Sequence, residues 1–402
     1  MKRITAFMTI TLIIAVALKA QKPDSTGILY LNSAELMLKN NGKLNLGGYG
    51  EVHYNQPISK NQKDLGTLDV HRIVMFLGYN FSKNTQFVSE IEFENAKELW
   101  VEQAFLQHRI NKFINLRAGL LLVPMGIINE YHEPTTFNGV GRPVIDNRLS
   151  LSTWREVGFG LAGILLPFAL KYQIYTVGGL NGYDTKAIFN GSSGLREGRQ
   201  KGSKAYVSSP AATGKIEFYG IKTLNIGLSG YFGKSQSKLY DKLSDSNTSL
   251  KVKADSSVVG IAMAGADARF QLKGLAIRGQ VYYTSISNTE QYNIFTRTGT
   301  TNNDLGKSML GYYVEAGYDI FNLFSIIDQE LVPFIRYEFY NTHQSVDNST
   351  NENLNYKNTL ITTGITFRLN KRAVVKTDIQ FISSALTYEY GKTFNAGIGV
   401  MF

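Results

Sequence analysis

The chain contains no cysteine, so it holds neither a disulfide nor a cysteine-borne lipid anchor, and its stability rests on the fold itself. Proline is scarce at 8 residues and helix-like runs are few. No apolar run approaches the roughly 20 residues that a spanning helix needs; the longest is Ile10 to Leu18. Concentrated charge is missing as well. Lys and Arg number 42 against 32 Asp and Glu, but the excess is spread along the chain with no basic run or aromatic-interleaved patch, which argues against a nucleic-acid partner.

Signatures of catalysis are equally thin. Gly-Lys-Ser or Gly-Lys-Thr occurs at Gly233, Gly306 and Gly391, yet the glycine a P-loop requires five residues earlier is Leu228, Thr301 and Leu386. No G-x-S-x-G elbow is present. The five histidines lack a paired spacing suited to zinc, and Glu130, His132 and Glu133 form the one ligand-like cluster. Hydrogen bonds that pin a loop are the favoured reading of that trio, so neither a cofactor nor a metal is expected.

What is abundant is Gly (38), Tyr (23) and Phe (23), a bias toward strands joined by turns. The start, MKRITAFMTITLIIAVALKAQ, reads as a secretory signal over residues 1–20, with Lys2 and Arg3 ahead of the apolar stretch and Ala20 at the expected cleavage point. Residues 21–44 hold SAELMLKNNG, a short helix ended by Asn41 and Gly42 that either stays in the periplasm or plugs a bore. From 45 to 402 the chain divides into sixteen alternating segments, opening with 45–54, 69–81 and 85–94 and closing with 373–383 and 393–402. The gaps between them alternate between long polar loops, such as 233–257, and tight turns, such as SKN, IKT, LKG and NKR. Long on one side and short on the other is the pattern of an outer-membrane barrel. The stretch FNLFSIID within 320–330 departs from it and reads as a short helix or an apolar plug.

Period-two faces fit a barrel in lipid or a soluble sandwich with a wet charged side; Tyr and Phe near strand ends, and sixteen strands with no second apolar layer to cover them, favour the barrel. Phe87, Ile91 and Phe93 oppose Val88, Glu90, Glu92 and Glu94; Leu116, Ala118, Leu120 and Leu122 oppose Arg117 and Gly119. Phe168, Leu170, Tyr172 and Ile174 oppose Lys171 and Gln173. The expectation is an all-β, 16-stranded antiparallel transmembrane barrel, with the apolar face in lipid and the charged face lining water. In the last segment Phe394, Ala396, Ile398, Val400 and Phe402 share one face. Phe402 resembles the terminal aromatic by which barrel-assembly machinery recognises outer-membrane strands.

The central stretch NLRAGLLLVPMGIINEYHEPTTFNGVGRPVIDNRLSLSTWREVGFGLAG resembles the phosphate-selective porin O/P family in its Bacteroidetes form, with HEP and TWRE segments bracketing a long loop. LGGYGEVHYN, HRIVMFLGYNFS, SEIEFE, WVEQAFL and SGLREGRQKGS add to the likeness, which is dense from Gly47 to Gly202. The resemblance implies a homotrimeric porin of the bacterial outer membrane passing small, phosphate-like anions, with a third external loop, Pro124 to Thr153, folded into the lumen.

An anion pathway needs fixed cations along its bore to replace lost hydration. The candidates are Arg142, Arg148 and Arg155 in or beside the loop, and Arg72, Arg117, Lys171, Arg278, Arg336, Arg368 and Lys376 on the wall, with most weight on Arg117, Arg148 and Arg155. Glu90, Glu92, Glu94 and Glu102 form an acidic counter-wall that favours bracing ion pairs or only weak selectivity. The basic loop around Arg196, Arg199, Lys201 and Lys204 reads by default as a solvated loop with no role, and is suited to steering anions or to binding lipopolysaccharide phosphates. A general diffusion porin, a barrel hydrolase and a surface adhesin stand as alternatives.

Overall fold

Alternating side chains and tight turns give sixteen strands that hydrogen-bond into one closed antiparallel barrel in the computed structural model, which describes residues 28–324 and 328–402. The expected signal segment, residues 1–20, lies outside the described residues. Barrel strands run Leu44–Ile58 (β1), Thr67–Asn80 (β2), Thr85–Glu94 (β3), Glu98–Arg109 (β4), Asn115–Leu122 (β5), Arg155–Leu165 (β6) and Leu170–Val177 (β7). A short strand, Asn181–Tyr183 (β8), stands outside the barrel, which resumes at Ala211–Ile221 (β9) and Leu224–Lys234 (β10). Gln236–Ser237 (β11) pairs in parallel with β8 above the rim. Gly260–Leu272 (β12), Leu275–Ser287 (β13), Ser308–Tyr318 (β14), Glu330–Ser345 (β15), Lys357–Asn370 (β16), Ala373–Ser384 (β17) and Gly391–Met401 (β18) complete the wall. The seam is β1 against β18, in register from Tyr49↔Met401 to Ile58↔Lys392. Each of the sixteen expected segments corresponds to one of these strands.

The outward face is apolar in alternation: Ile73, Met75 and Leu77 on β2, Val157, Phe159 and Leu161 on β6, and Ile398 and Val400 on β18 are exposed. A closed sheet leaves no unpaired edge, and with an apolar exterior it meets the two requirements of a membrane-spanning strand protein. The segment after β14 forms a 3-10 helix, Ile320–Leu323, and Leu323 and Phe324 lie exposed rather than under the barrel.

The interior differs from a simple water-lined bore. Residues 123–154 turn inward and fill much of it: Val123, Met125, Ile145, Leu149, Leu151 and Trp154 are buried. They pack against inward-facing Tyr231, Ile261, Met263, Tyr282, Ile286, Met309 and Tyr313 in one hydrophobic cluster. Apolar residues therefore point into the barrel as well as out of it. The cause is the loop itself: its apolar side chains cannot face water, so the wall opposite supplies a matching surface.

The helix Ser33–Lys39 (α1) occupies the other end of the bore. Asn32 caps it, its side chain accepting from the Glu35 amide while Glu35 reaches back to the Asn32 amide. Ala34 and Leu38 are buried, Gln86 donates to the Leu38 carbonyl at 2.9 Å, and Ser33 bonds Glu133 of the loop. These contacts hold α1 against β2, β3 and the third loop. The helix ends at Lys39, just before the expected Asn41–Gly42 stop.

Candidate functional site

The third loop crosses the lumen because its polar groups find partners on distant strands. The Ile127 amide donates to Gln280 at 2.9 Å, the Val140 amide to Asp378 at 2.7 Å and the Ile145 amide to Glu338 at 3.1 Å. Lys215 on β9 donates to the Gly126 carbonyl at 2.6 Å. At Gly126, φ is +69° and a Cβ would overlap the Tyr282 hydroxyl, so glycine is required for the loop to pass the β13 wall this closely.

The wall cations are mostly in ion pairs. Arg336 is fully buried and bonds Glu338 at 3.0 Å and Glu315 at 3.2 Å, while its guanidinium also reaches the Asn138 and Gly141 carbonyls. Arg278 pairs with Glu315 at 2.9 Å and Arg72 with Glu51 at 2.7 Å. Lys171 meets Glu35 at 2.8 Å and Glu217 at 3.2 Å. Arg368 pairs with Glu330 at 3.1 Å near the periplasmic end. Arg155 lies 3.6 Å from Glu102 and stacks toward Trp100. Arg117 has no carboxylate partner among the described residues; Gln107 and Tyr175 hold it at 2.8 and 3.1 Å over the Phe105 ring. Lys376 lacks a hydrogen-bond partner among the described residues, its ammonium 3.7 Å from the centre of the Phe137 ring.

Arg142 donates to the His132 carbonyl at 3.0 Å, so it ties the loop to itself. Arg148, at the end of the loop helix Val144–Arg148 (α2), contacts the Ser192 carbonyl at 3.5 Å near the outer mouth. The three most favoured arginines are therefore well separated: Arg117 at the periplasmic side, Arg155 under the loop, Arg148 at the mouth. Of the acidic counter-wall, Glu90, Glu92 and Glu102 are buried together, and Glu94 is half-buried at the end of β3.

The Glu130, His132 and Glu133 trio does not converge. Glu130 bonds Gln173 and Lys215, Glu133 bonds Ser33, and His132 turns to Glu90 and Glu102. Arg196 and Arg199 do not stand free as steering charges; they donate to the carbonyls of Asn147, Leu151 and Ser152 and pin the fourth external loop onto the third. Burial lowers both guanidinium pKa values, with the charge of Arg199 adding to it at Arg196 and that of Arg155 at Arg199.

Sequence reasoning missed Lys215, Arg269 and Glu35. Lys215 sits among Glu130, Glu217 and Asp267 at 3.1 to 3.6 Å, and Arg269 pairs with Glu217 at 2.7 Å beneath the Tyr30 and Tyr131 rings. Their signal was present in the two-residue spacing of opposite charges, Lys215 with Glu217 and Asp267 with Arg269, which places each pair on one strand face.

Two cavities open toward the periplasmic turns. One of about 400 Å³ is lined by Lys39, Arg109, Lys112 and Arg117 against the single acid Glu35. The other, about 630 Å³, carries Arg269, Lys273, Arg278, Arg368 and Lys371 against Glu315, Asp319 and Glu330.

No family model matches the chain. Among solved structures it is similar to an anion-selective porin from Comamonas acidovorans (12% identity, TM-score 0.55), over 89% of this chain and 99% of that one. It is similar also to a complex of Salmonella typhi OmpF with daunomycin (12%, 0.55, over 89% and 97%) and to a trimer form of OmpT, an outer membrane protein of Vibrio cholerae (8%, 0.55, over 90% and 100%). These likenesses establish the fold, a porin-type barrel. An uncharacterized protein of Aquifex aeolicus (strain VF5) is 31% identical over 348 residues, 83% of this chain and 74% of that protein. The chain belongs to the same family as that Aquifex protein, a family whose member described here is a sixteen-stranded barrel with an occupied bore.

Proposed function

We propose that this protein is a porin for small anions, phosphate-like ones among them, in which the two periplasmic cavities set the preference and the third loop with α1 sets the bore. The observation that carries the reading is the charge of those cavities, four cations to one acid and five to three. At mid-lumen, by contrast, the cations are largely neutralised by carboxylates, and a paired wall offers a passing ion little net attraction. Lys39, Arg109, Lys112, Lys273 and Lys371 are exposed and stand outside the ion pairs among the described residues, so these water-facing cations of the two cavities attract anions and replace part of their hydration. The resemblance to phosphate-selective porins supports phosphate as the solute to try first, and the anion-selective Comamonas porin shares the fold.

A homotrimer embedded among lipopolysaccharide and inserted by barrel-assembly machinery completes the reading; a trimer form is described for the Vibrio neighbour. The test is a reversal potential in a salt gradient across a planar bilayer. Anion preference is expected, and replacing Lys273, Arg368 and Lys371 with glutamine should move the potential toward cations. A potential that does not move, or cation preference at the outset, overturns the assignment.

A further inference from the structure

The structure brings His132 of the third loop against Glu90 of β3 and Glu102 of β4, and all three are buried. The His132 Nε2 atom lies 3.3 Å from Glu90 Oε1 and 3.3 Å from Glu102 Oε2. Charge-assisted hydrogen bonds close to about 2.7–2.9 Å, so both contacts are long for an imidazolium, and one N–H cannot align on two acceptors. A four-coordinate divalent ion with bonds of about 2.0–2.1 Å separates its donors by about 3.3–3.4 Å, which is the spacing found from Nε2 to each carboxylate, and the three donor atoms all lie within 4.8 Å of one another.

Three further features fit a ligand set. The other ring nitrogen, Nδ1, faces the Asn129 carbonyl at 3.3 Å, a backbone partner of the kind that fixes a ligating histidine's tautomer and leaves Nε2 free to bind. Gln103 donates to the second oxygen of Glu90 at 2.7 Å, which orients that carboxylate. Among the described residues neither oxygen of Glu102 has a hydrogen-bond partner although the residue is wholly buried; the nearest cation beyond His132 there is Arg155, at 3.6 Å. The register of β3 on β4 shifts at this point, Glu90 pairing Gln103 and Ile91 pairing Val101. The bulge turns both Glu102 and Gln103 inward, and such bulges re-aim side chains at functional positions.

We propose that Glu90, Glu102 and His132 bind one divalent first-row transition ion, zinc being the probe of choice, and that the ion latches the third loop to the barrel wall. Two carboxylates and a neutral imidazole balance the charge of the ion, a donor set suited to zinc or cobalt. The proposal concerns loop packing and does not depend on which solute crosses the barrel.

The experiment uses the full chain refolded in detergent with chelator, then titrated with Zn²⁺ or Co²⁺. Wild type should bind one ion per chain, and Co²⁺ should give the visible absorption of a tetrahedral site. His132→Ala and Glu102→Gln should abolish that stoichiometry, and Gln103→Ala should weaken binding about tenfold or more. Equal binding by wild type and the ligand variants, or no binding by wild type, overturns the proposal. X-ray absorption on the zinc-loaded wild type decides the matter if the variants fail to fold: one imidazole nitrogen with carboxylate oxygens supports it, and an all-oxygen shell defeats it.

Discussion

Lys171 of the wall and Glu35 of the plugging helix meet at 2.8 Å inside the bore, although 136 positions separate them. The contact is buried on both sides, and Lys171 keeps Glu217 and the Tyr131 hydroxyl as further partners. Glu35→Gln therefore weakens the helix dock without stranding the lysine, at a cost of about 1–3 kcal/mol to unfolding in detergent. Single-channel conductance should rise in this variant and rise further when residues 28–42 are deleted. Unchanged conductance in the deletion would mean that α1 does not obstruct the path.

Arg336 braces four groups at once, two carboxylates and two carbonyls. Removing it as Arg336→Ala leaves Glu315 and Glu338 facing each other with less compensation, which should cost about 3–5 kcal/mol. Arg336→Lys should recover only part of this, because a single ammonium cannot reproduce the forked geometry. Urea unfolding of the refolded barrel, followed by heat-modifiable mobility, measures both.

Gly126→Ala introduces a side chain at φ +69° into the space of the Tyr282 hydroxyl. The loop must move or the wall must yield, and about 2 kcal/mol or more should be lost. Tyr282→Phe in the same chain should restore part of the loss by removing the overlapping oxygen. No recovery in the double variant would locate the strain in the backbone alone.

The ring of Phe402 lies over Gly48, where an added Cβ would stand 2.8 Å from its Cζ atom, and it is 65% exposed on the lipid side. Deleting Phe402, or replacing it with serine, should reduce the yield of heat-modifiable barrel in outer-membrane fractions several-fold while refolding in detergent changes little. Equal yield in membranes would remove the assembly role.

Strand positions were legible because lipid outside and buried charge inside enforce a two-residue period on each strand, and turns such as SKN and NKR punctuate it. Arg117, Lys171, Arg278 and Arg336 were placed on the inner face by that period alone. Their partners were not, since Glu315 pairs with Arg336 through strand register and Glu35 with Lys171 through the path of a helix. The bulge at Glu102 shows in the sequence only as the adjacent polar pair Glu102 and Gln103, too slight a break in the alternation to locate a register shift. His132 reads as one of three adjacent ligand-like residues, and only the course of the loop across the lumen divides them among Lys215, Ser33 and the Glu90–Glu102 wall. The apolar interior was hidden for the same reason: an inward Met263 or Tyr282 is indistinguishable in sequence from an interruption of a polar face.

The seam is held by reciprocal backbone bonds, Gly48 N–H to the Phe402 carbonyl at 2.9 Å and Phe402 N–H to the Gly48 carbonyl at 2.8 Å. It joins strands from opposite ends of the barrel sequence, so the cylinder can zip shut only after every intervening hairpin has formed. Until that moment β1 and β18 both present raw edges to any other chain nearby. Maturation of this protein is consequently governed by a late, long-range encounter, and conditions that slow it should divert material into aggregates even when the finished barrel is very stable.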